Sequence, residues 1–155
     1  MVKDYVKIAD QIVFKAEQEN YLPSTSQLRK IFAHINKIKN KAESAFSKDD
    51  SNEIPNEIVA ELQYLKIQIA YQMGRSKPKY LSKNIKEDEK LFYFFDKPII
   101  EWSAKNKEGI IQKKEYKILN WIDMISTKEA FNMFCRYMEA IIAYQKFYGI
   151  DKRGN

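Results

Sequence analysis

From residue 25 to residue 46 the chain reads TSQLRKIFAHINKIKNKAESAF, with apolar side chains at Leu28, Ile31, Phe32, Ile35, Ile38, Ala42 and Phe46. Steps of three and four residues put all seven on one side of an α-helix but on both sides of a β-strand. The stretch can therefore bury a continuous face only as a helix. The same spacing recurs at Tyr5, Ile8, Ala9, Ile12, Val13 and Ala16, which reads as a helix over 4–19. It returns at Ile58, Val59, Leu62, Leu65, Ile69 and Met73 (about 56–73) and at Phe131, Phe134, Met138, Ile141, Ile142 and Gln145. With only 4 Gly and 4 Pro in 155 residues, a turn-rich β architecture is disfavoured. The expected fold is all-α, a compact bundle of about five or six helices in a single domain over 1–155.

Local signals mark the ends of these helices. The first ends before NYLPSTS, where Pro23 stops it and Ser24 or Thr25 can cap the second. SKDDSNEIPNE is an acidic loop whose carboxylates suit the N-terminus of the third helix. Tyr64, Ile67 and Ala70 widen that helix's apolar stripe, which predicts a central, buried helix. Gly74 is expected at the left-handed C′ position, with Arg75 opening a basic loop, RSKPKYLSK. Residues 84–107 read as helical but broken near 96–98 by Pro98. KNKEG reads as a loop and about 113–124 as a short helix. Ser126 and Glu129 have capping-box spacing, so the last helix starts near 127, and Gly149 ends it.

Charge is unevenly spread. Lys and Arg number 27 against 21 Asp and Glu, a net +6 that favours polyanionic partners. Between residues 28 and 48 there are six cations (Arg29, Lys30, Lys37, Lys39, Lys41, Lys48) and one anion, Glu43. At 100° per residue Lys30, His34, Lys37 and Lys41 share the face opposite the apolar one. Those lysines lack the i,i+4 Glu partners usual on a solvated helix. A second basic patch follows at Arg75, Lys77 and Lys79. Only four of the cations are Arg, at 29, 75, 136 and 153, and the guanidinium fork is suited to phosphate.

Chemistry-bearing groups are few. His34, the single histidine, has no second ligand at metal spacing and reads as structural or base-stacking. Cys135 forms no intrachain disulfide, and its helix-interior position makes it a small buried hydrophobe rather than a thiolate activated by Arg136. Neither a phosphate-binding glycine loop nor a recognisable carboxylate dyad is present, so no enzyme, cofactor or metal is expected. The aromatics of LFYFF and AYQKFYG could stack on bases, but core or interface packing is the favoured reading. The N-terminus lacks a signal-peptide core and no apolar run reaches membrane length, so a cytoplasmic protein without a membrane partner is expected.

Three segments, TSQLRKIF (25–32), LQYLKIQIAYQMGR (62–75) and FCRYMEAIIAYQKFYG (134–149), resemble the small subunit of the type III-A CRISPR Csm effector complex. They occupy 38 of the 155 residues, in the family's order. The resemblance implies a small helical subunit without catalytic activity, stacked in several copies beside the backbone subunits that carry the guide RNA. It would touch target RNA and the guide–target duplex, largely through phosphates, and join the large subunit, where the nuclease and cyclic-oligoadenylate activities reside. On this analogy Arg29, Arg75 and Arg136 are the motif positions expected to meet RNA or a neighbour. Lys30, Lys37 and Lys41 come from the helical projection, Lys77 and Lys79 from the second patch, and Lys146 from the free face of the last helix. Residues from about 96 to 125 look like extra length relative to compact members. The rival expectation is a helical adaptor whose basic face docks on an acidic protein without RNA.

Overall fold

The computed structural model describes residues 5–80, 84–102, 107–109 and 113–149. In chain order these form α1 (Tyr5–Gln18), α2 (Thr25–Phe46), α3 (Asn56–Ser76), a 3-10 turn (Glu87–Glu89) and α4 (Lys90–Asp96). Strands β1 (Ile99–Trp102) and β2 (Lys113–Tyr116) follow, then α5 (Ile118–Met124) and α6 (Lys128–Tyr148). Among the described residues six helices make the bundle, the all-α fold expected from the sequence. The two strands pair antiparallel, Ile99 opposite Tyr116 through Trp102 opposite Lys113.

The centre of the bundle is α6. It buries Phe131, Phe134, Cys135, Tyr137, Met138, Ile141 and Gln145, and α1 and α2 both pack on it. The residues that α1 buries are Ala9, Val13 and Ala16, small enough to let the two backbones approach. In turn α2 packs on α3, whose buried stripe (Ile58, Leu62, Leu65, Ile69, Met73) also carries α4 and α5. Seven residues cannot sustain α5 alone; Trp121 anchors it, with ring centroids 4.8 Å from Tyr137, 5.3 Å from Phe134 and 5.9 Å from Tyr116.

Helix ends follow from local hydrogen bonding. Asn20, at φ 63°, closes α1: its N–H donates to Glu17 O (3.3 Å) and the Tyr21 N–H to Ala16 O (2.8 Å). This is a Schellman motif with asparagine in the left-handed seat, so the helix ends at Gln18, before Pro23 is reached. Ser24 and Gln27 form a reciprocal capping box on α2 (3.2 and 2.8 Å). Gly149 closes α6, and a Cβ there would lie 2.5 Å from Gln145 O, a close approach that only glycine allows.

Four expectations need correction. Gly74 is helical, α3 runs on to Ser76, and the stop comes at Lys77, which Pro78 forces into extended backbone (φ −63°, ψ 129°). The cap of α6 is Thr127, accepting from the Ala130 N–H at 3.1 Å, while the Ser126 carbonyl takes the Ile54 N–H from the acidic loop. Among the described residues of the middle region, helix is confined to 87–96 and 118–124. It breaks at Pro98 as expected, but IIEW and KKEY then pair as strands rather than continue as helix. Finally, α3 is not buried all round: Val59, Tyr64, Ile67, Ala70 and Tyr71 are exposed.

Candidate nucleic-acid interface

Two cross-helix pairs set the direction of α3 against α2. Lys41 Nζ lies 2.9 Å from Glu61, and the His34 ring is 5.1 Å from Tyr64. As numbers fall along α2 they rise along α3, so the helices are antiparallel. A second set orients α6. The Thr25 hydroxyl donates to Gln145 Oε1 (3.0 Å) at one end, and Phe46 and Phe131 sit 5.6 Å apart at the other. The N-terminal turn of α2 thus shares one end of the bundle with the C-terminal turns of α3 and α6.

That convergence gathers Arg29, Lys30, Arg75, Lys77 and Lys146 at a single end, with Lys79 two residues further on. All six are exposed, and among the described residues none is seen in an ion pair. Arg75 lies 5.9 Å from the Tyr71 ring centre. The opposite end is acidic, with Asp49, Asp50, Glu53 and Glu57 exposed around the loop into α3, and Glu129 in the first turn of α6. Carboxylates also reach the basic end: the 3-10 turn with Glu87, Asp88 and Glu89 sits beside the start of α2, where Gln27 Nε2 donates to the Glu87 carbonyl at 2.8 Å.

Other predicted cations fall elsewhere. Lys37 is exposed midway along the outer side of α2, in line with Lys30. Lys41 is also on that line, but its bond to Glu61 holds the ammonium above its ordinary pKa and the carboxyl below its own. Lys39, on the other flank of α2, is tied in the same way to Glu139 of α6. Glu43 is the one carboxylate within α2; Glu61 and Glu139 come from its neighbours, and the ridge is less positive than its own sequence suggests. Arg136 is exposed midway along α6, away from the basic end.

Chemistry is not what this surface offers. Cys135 is buried, which pushes its thiol up to about 12, so the neighbouring Arg136 does not activate it. His34 is half-buried against Tyr64 and its Nε2 is unpartnered. No group of three or more potential metal ligands occurs among the described residues, and none of their helices is long and apolar enough to cross a membrane. The residues missed by sequence reasoning are Glu61 and Glu139, which have no signal before the helix pairing is known. The exposed aromatics of α3 did have one: Ala60, Tyr64, Ile67, Tyr71 and Gly74 repeat at helical steps of their own.

Residues 1–92 match the sequence model of the family described as Csm2 Type III-A. The chain is 29% identical over 151 residues to the "CRISPR system Cms protein Csm2" of Streptococcus thermophilus, covering 95% of this chain and 93% of that one. It is 26% identical over 125 residues to the protein of the same description from Enterococcus italicus, covering 81% of this chain and 67% of that one. The family match stops short of the segment 96–125, whereas the Streptococcus thermophilus match spans it.

Proposed function

Because the chain belongs to the Csm2 family of type III-A CRISPR systems, we propose that its basic end grips RNA phosphates within the effector complex. The family gives it a non-catalytic, structural role in that complex. Beyond that, the reading is of a cytoplasmic subunit present in several copies beside the backbone subunits and touching the large one. Guide–target pairing supplies specificity, and Arg29, Lys30, Arg75, Lys77, Lys79 and Lys146 supply a sequence-independent hold. Lys37 extends the contact along α2. Lys41 and Arg136 belong to the margin, the first because Glu61 already occupies it.

The observation that carries this reading is the convergence of exposed, unpaired cations from three helices on one end of the bundle. If about four of them each neutralise a phosphate, log K falls with log salt at a slope near −3, at ~0.7 per contact on a single strand. Charge reversal at Arg29, Lys37 and Arg75 together, in the assembled complex, should weaken RNA binding and flatten that slope. Unchanged affinity and slope would remove the surface from the RNA path. An adaptor docking on an acidic protein would instead keep its partner at full strength after ribonuclease treatment.

A further inference from the structure

The last turn of α6 carries aromatic side chains that the core does not use. Phe147 is 76% exposed, and Phe14 of α1 is 48% exposed. Both make T-shaped contacts with Tyr148, at centroid distances of 4.9 Å and 5.5 Å, and Tyr144 stacks on Tyr148 at 6.1 Å. The Tyr148 hydroxyl donates to the Asp10 carboxylate of α1. The four rings therefore form one cluster bridging α1 and α6, with Tyr148 tied down at its centre and two phenylalanine rings largely bare. The helix end beneath it is fixed too. The Gly149 N–H donates to Gln145 O at 2.8 Å, and Gln145 Nε2 donates to the Pro23 carbonyl at 3.3 Å. A surface held this firmly loses little freedom when something lies on it.

Size and charge select the occupant. At ~200 Å² a ring, the two phenylalanines leave on the order of 250 Å² bare, against ~800 Å² buried by each partner in a stable protein interface. That is enough for a base or two and too little for a protein. Lys146 on α6 and Lys15 on α1 adjoin the rings in sequence; both are exposed, and among the described residues neither is seen in an ion pair. The Thr25–Gln145 bond sets the start of α2, with Arg29 and Lys30, beside the same turn. Flat aromatic faces next to phosphate-binding cations are how single strands are held, the backbone on the cations and the bases on the rings. In a duplex both faces of a base are covered by its neighbours, so only an unpaired base can reach these rings.

We propose that Phe147 and Phe14 form a stacking platform for an unpaired base of the RNA whose phosphates the basic end holds. The inference rests on the RNA reading and refines it. Cations alone hold single strand and duplex alike, whereas the platform adds affinity for the single strand. The two bare rings carry no hydrogen-bonding group, so they accept any base, in keeping with a hold that ignores sequence.

The test uses the full chain and an oligouridylate carrying one central 2-aminopurine, whose fluorescence falls when a ring stacks on it. Phe147→Ala should abolish the quenching and weaken binding about tenfold, with a smaller loss for Phe14→Ala. Because the Phe147 ring is so exposed, its removal should leave the urea midpoint where it was. Phe147→Trp should keep both quenching and affinity; Phe147→Leu, apolar without a π face, should keep neither. The salt slope and the affinity for an RNA duplex of equal length should not respond to Phe147→Ala. Quenching and affinity indifferent to Phe147→Ala, or losses equal for single strand and duplex, overturn the proposal. So does a Phe147→Ala chain that binds RNA normally but drops out of the assembled complex, since the rings would then face protein. The two readings fail separately. Binding lost on charge reversal at Arg29, Lys37 and Arg75 but indifferent to Phe147→Ala leaves the phosphate grip and removes the platform, and the converse result leaves the platform and removes the grip.

Discussion

Helices α3 and α6 are both 21 residues long and both rich in apolar and aromatic side chains, yet the bundle uses them differently. On α6, Phe131, Phe134, Tyr137, Met138 and Ile141 are buried because α1, α2 and α5 close around it. On α3, the main neighbours, α2, α4 and α5, lie toward the buried stripe, and Tyr64, Ile67 and Tyr71 remain in solvent. Equal hydrophobicity thus has two meanings. On α6 it holds the chain together; on α3 part of it faces solvent.

The sharpest way to break that contrast is to truncate one side chain on the inner helix. Phe134 is 1% exposed and packs against Trp121, so Phe134→Ala should cost about 3–5 kcal/mol in urea unfolding. It should also loosen α5 and the strand pair, because Trp121 loses one wall. A cost below about 1 kcal/mol would mean that the α5–α6 contact is not part of the cooperative core.

Alkaline pH probes the same interior. Burial raises the Cys135 thiol from 9.0 to about 12, so the unfolded chain releases this proton first. Stability from this group is complete below pH 9 and declines as pH rises from 9 toward 12, by about 1.4 kcal/mol per unit. Tyr21, raised from 10.0 to about 12 chiefly by burial, steepens the decline above pH 10. Cys135→Ala should remove the part that begins at pH 9; an unchanged slope would mean that the thiol reaches water.

A smaller effect is expected where structure is local. Ser24 and Gln27 satisfy backbone donors at the start of α2 reciprocally, so Ser24→Ala should cost about 1 kcal/mol in thermal or urea unfolding. It should leave the rest of the fold intact. Thr25, the other capping candidate, instead ties α2 to Gln145 of α6, so Thr25→Val would loosen the basic end rather than the cap.

What could be read from the sequence follows this division between local and long-range causes. The bounds of α2 and the stop of α6 were legible because apolar periodicity and terminal residues act within a few positions. The strand KKEY was not: three of its four residues are exposed, and it is a strand only because IIEW lies opposite. Gly74 misled for a similar reason, since Lys77–Pro78 ends the helix just beyond it. At the candidate site, Lys30 and Lys37 could be placed on one face by angle alone. The neutralisation of Lys41 by Glu61 and the meeting of Arg29, Arg75 and Lys146 at one end depend on how three helices run past one another. No spacing within a single helix encodes that.

The smallest effect is the most telling for α3. Ile67→Ala removes a side chain that is 61% exposed, so the unfolding free energy of dilute, monomeric protein should change by no more than about 0.5 kcal/mol. Leu65→Ala, two residues away on the buried stripe at 1% exposed, should cost about 2–5 kcal/mol. The pair isolates orientation from composition, because both substitutions shorten a branched aliphatic side chain in the same helix. A large cost for Ile67→Ala in dilute protein would mean that part of this chain covers the outer face of α3, and the contrast between the two helices would disappear.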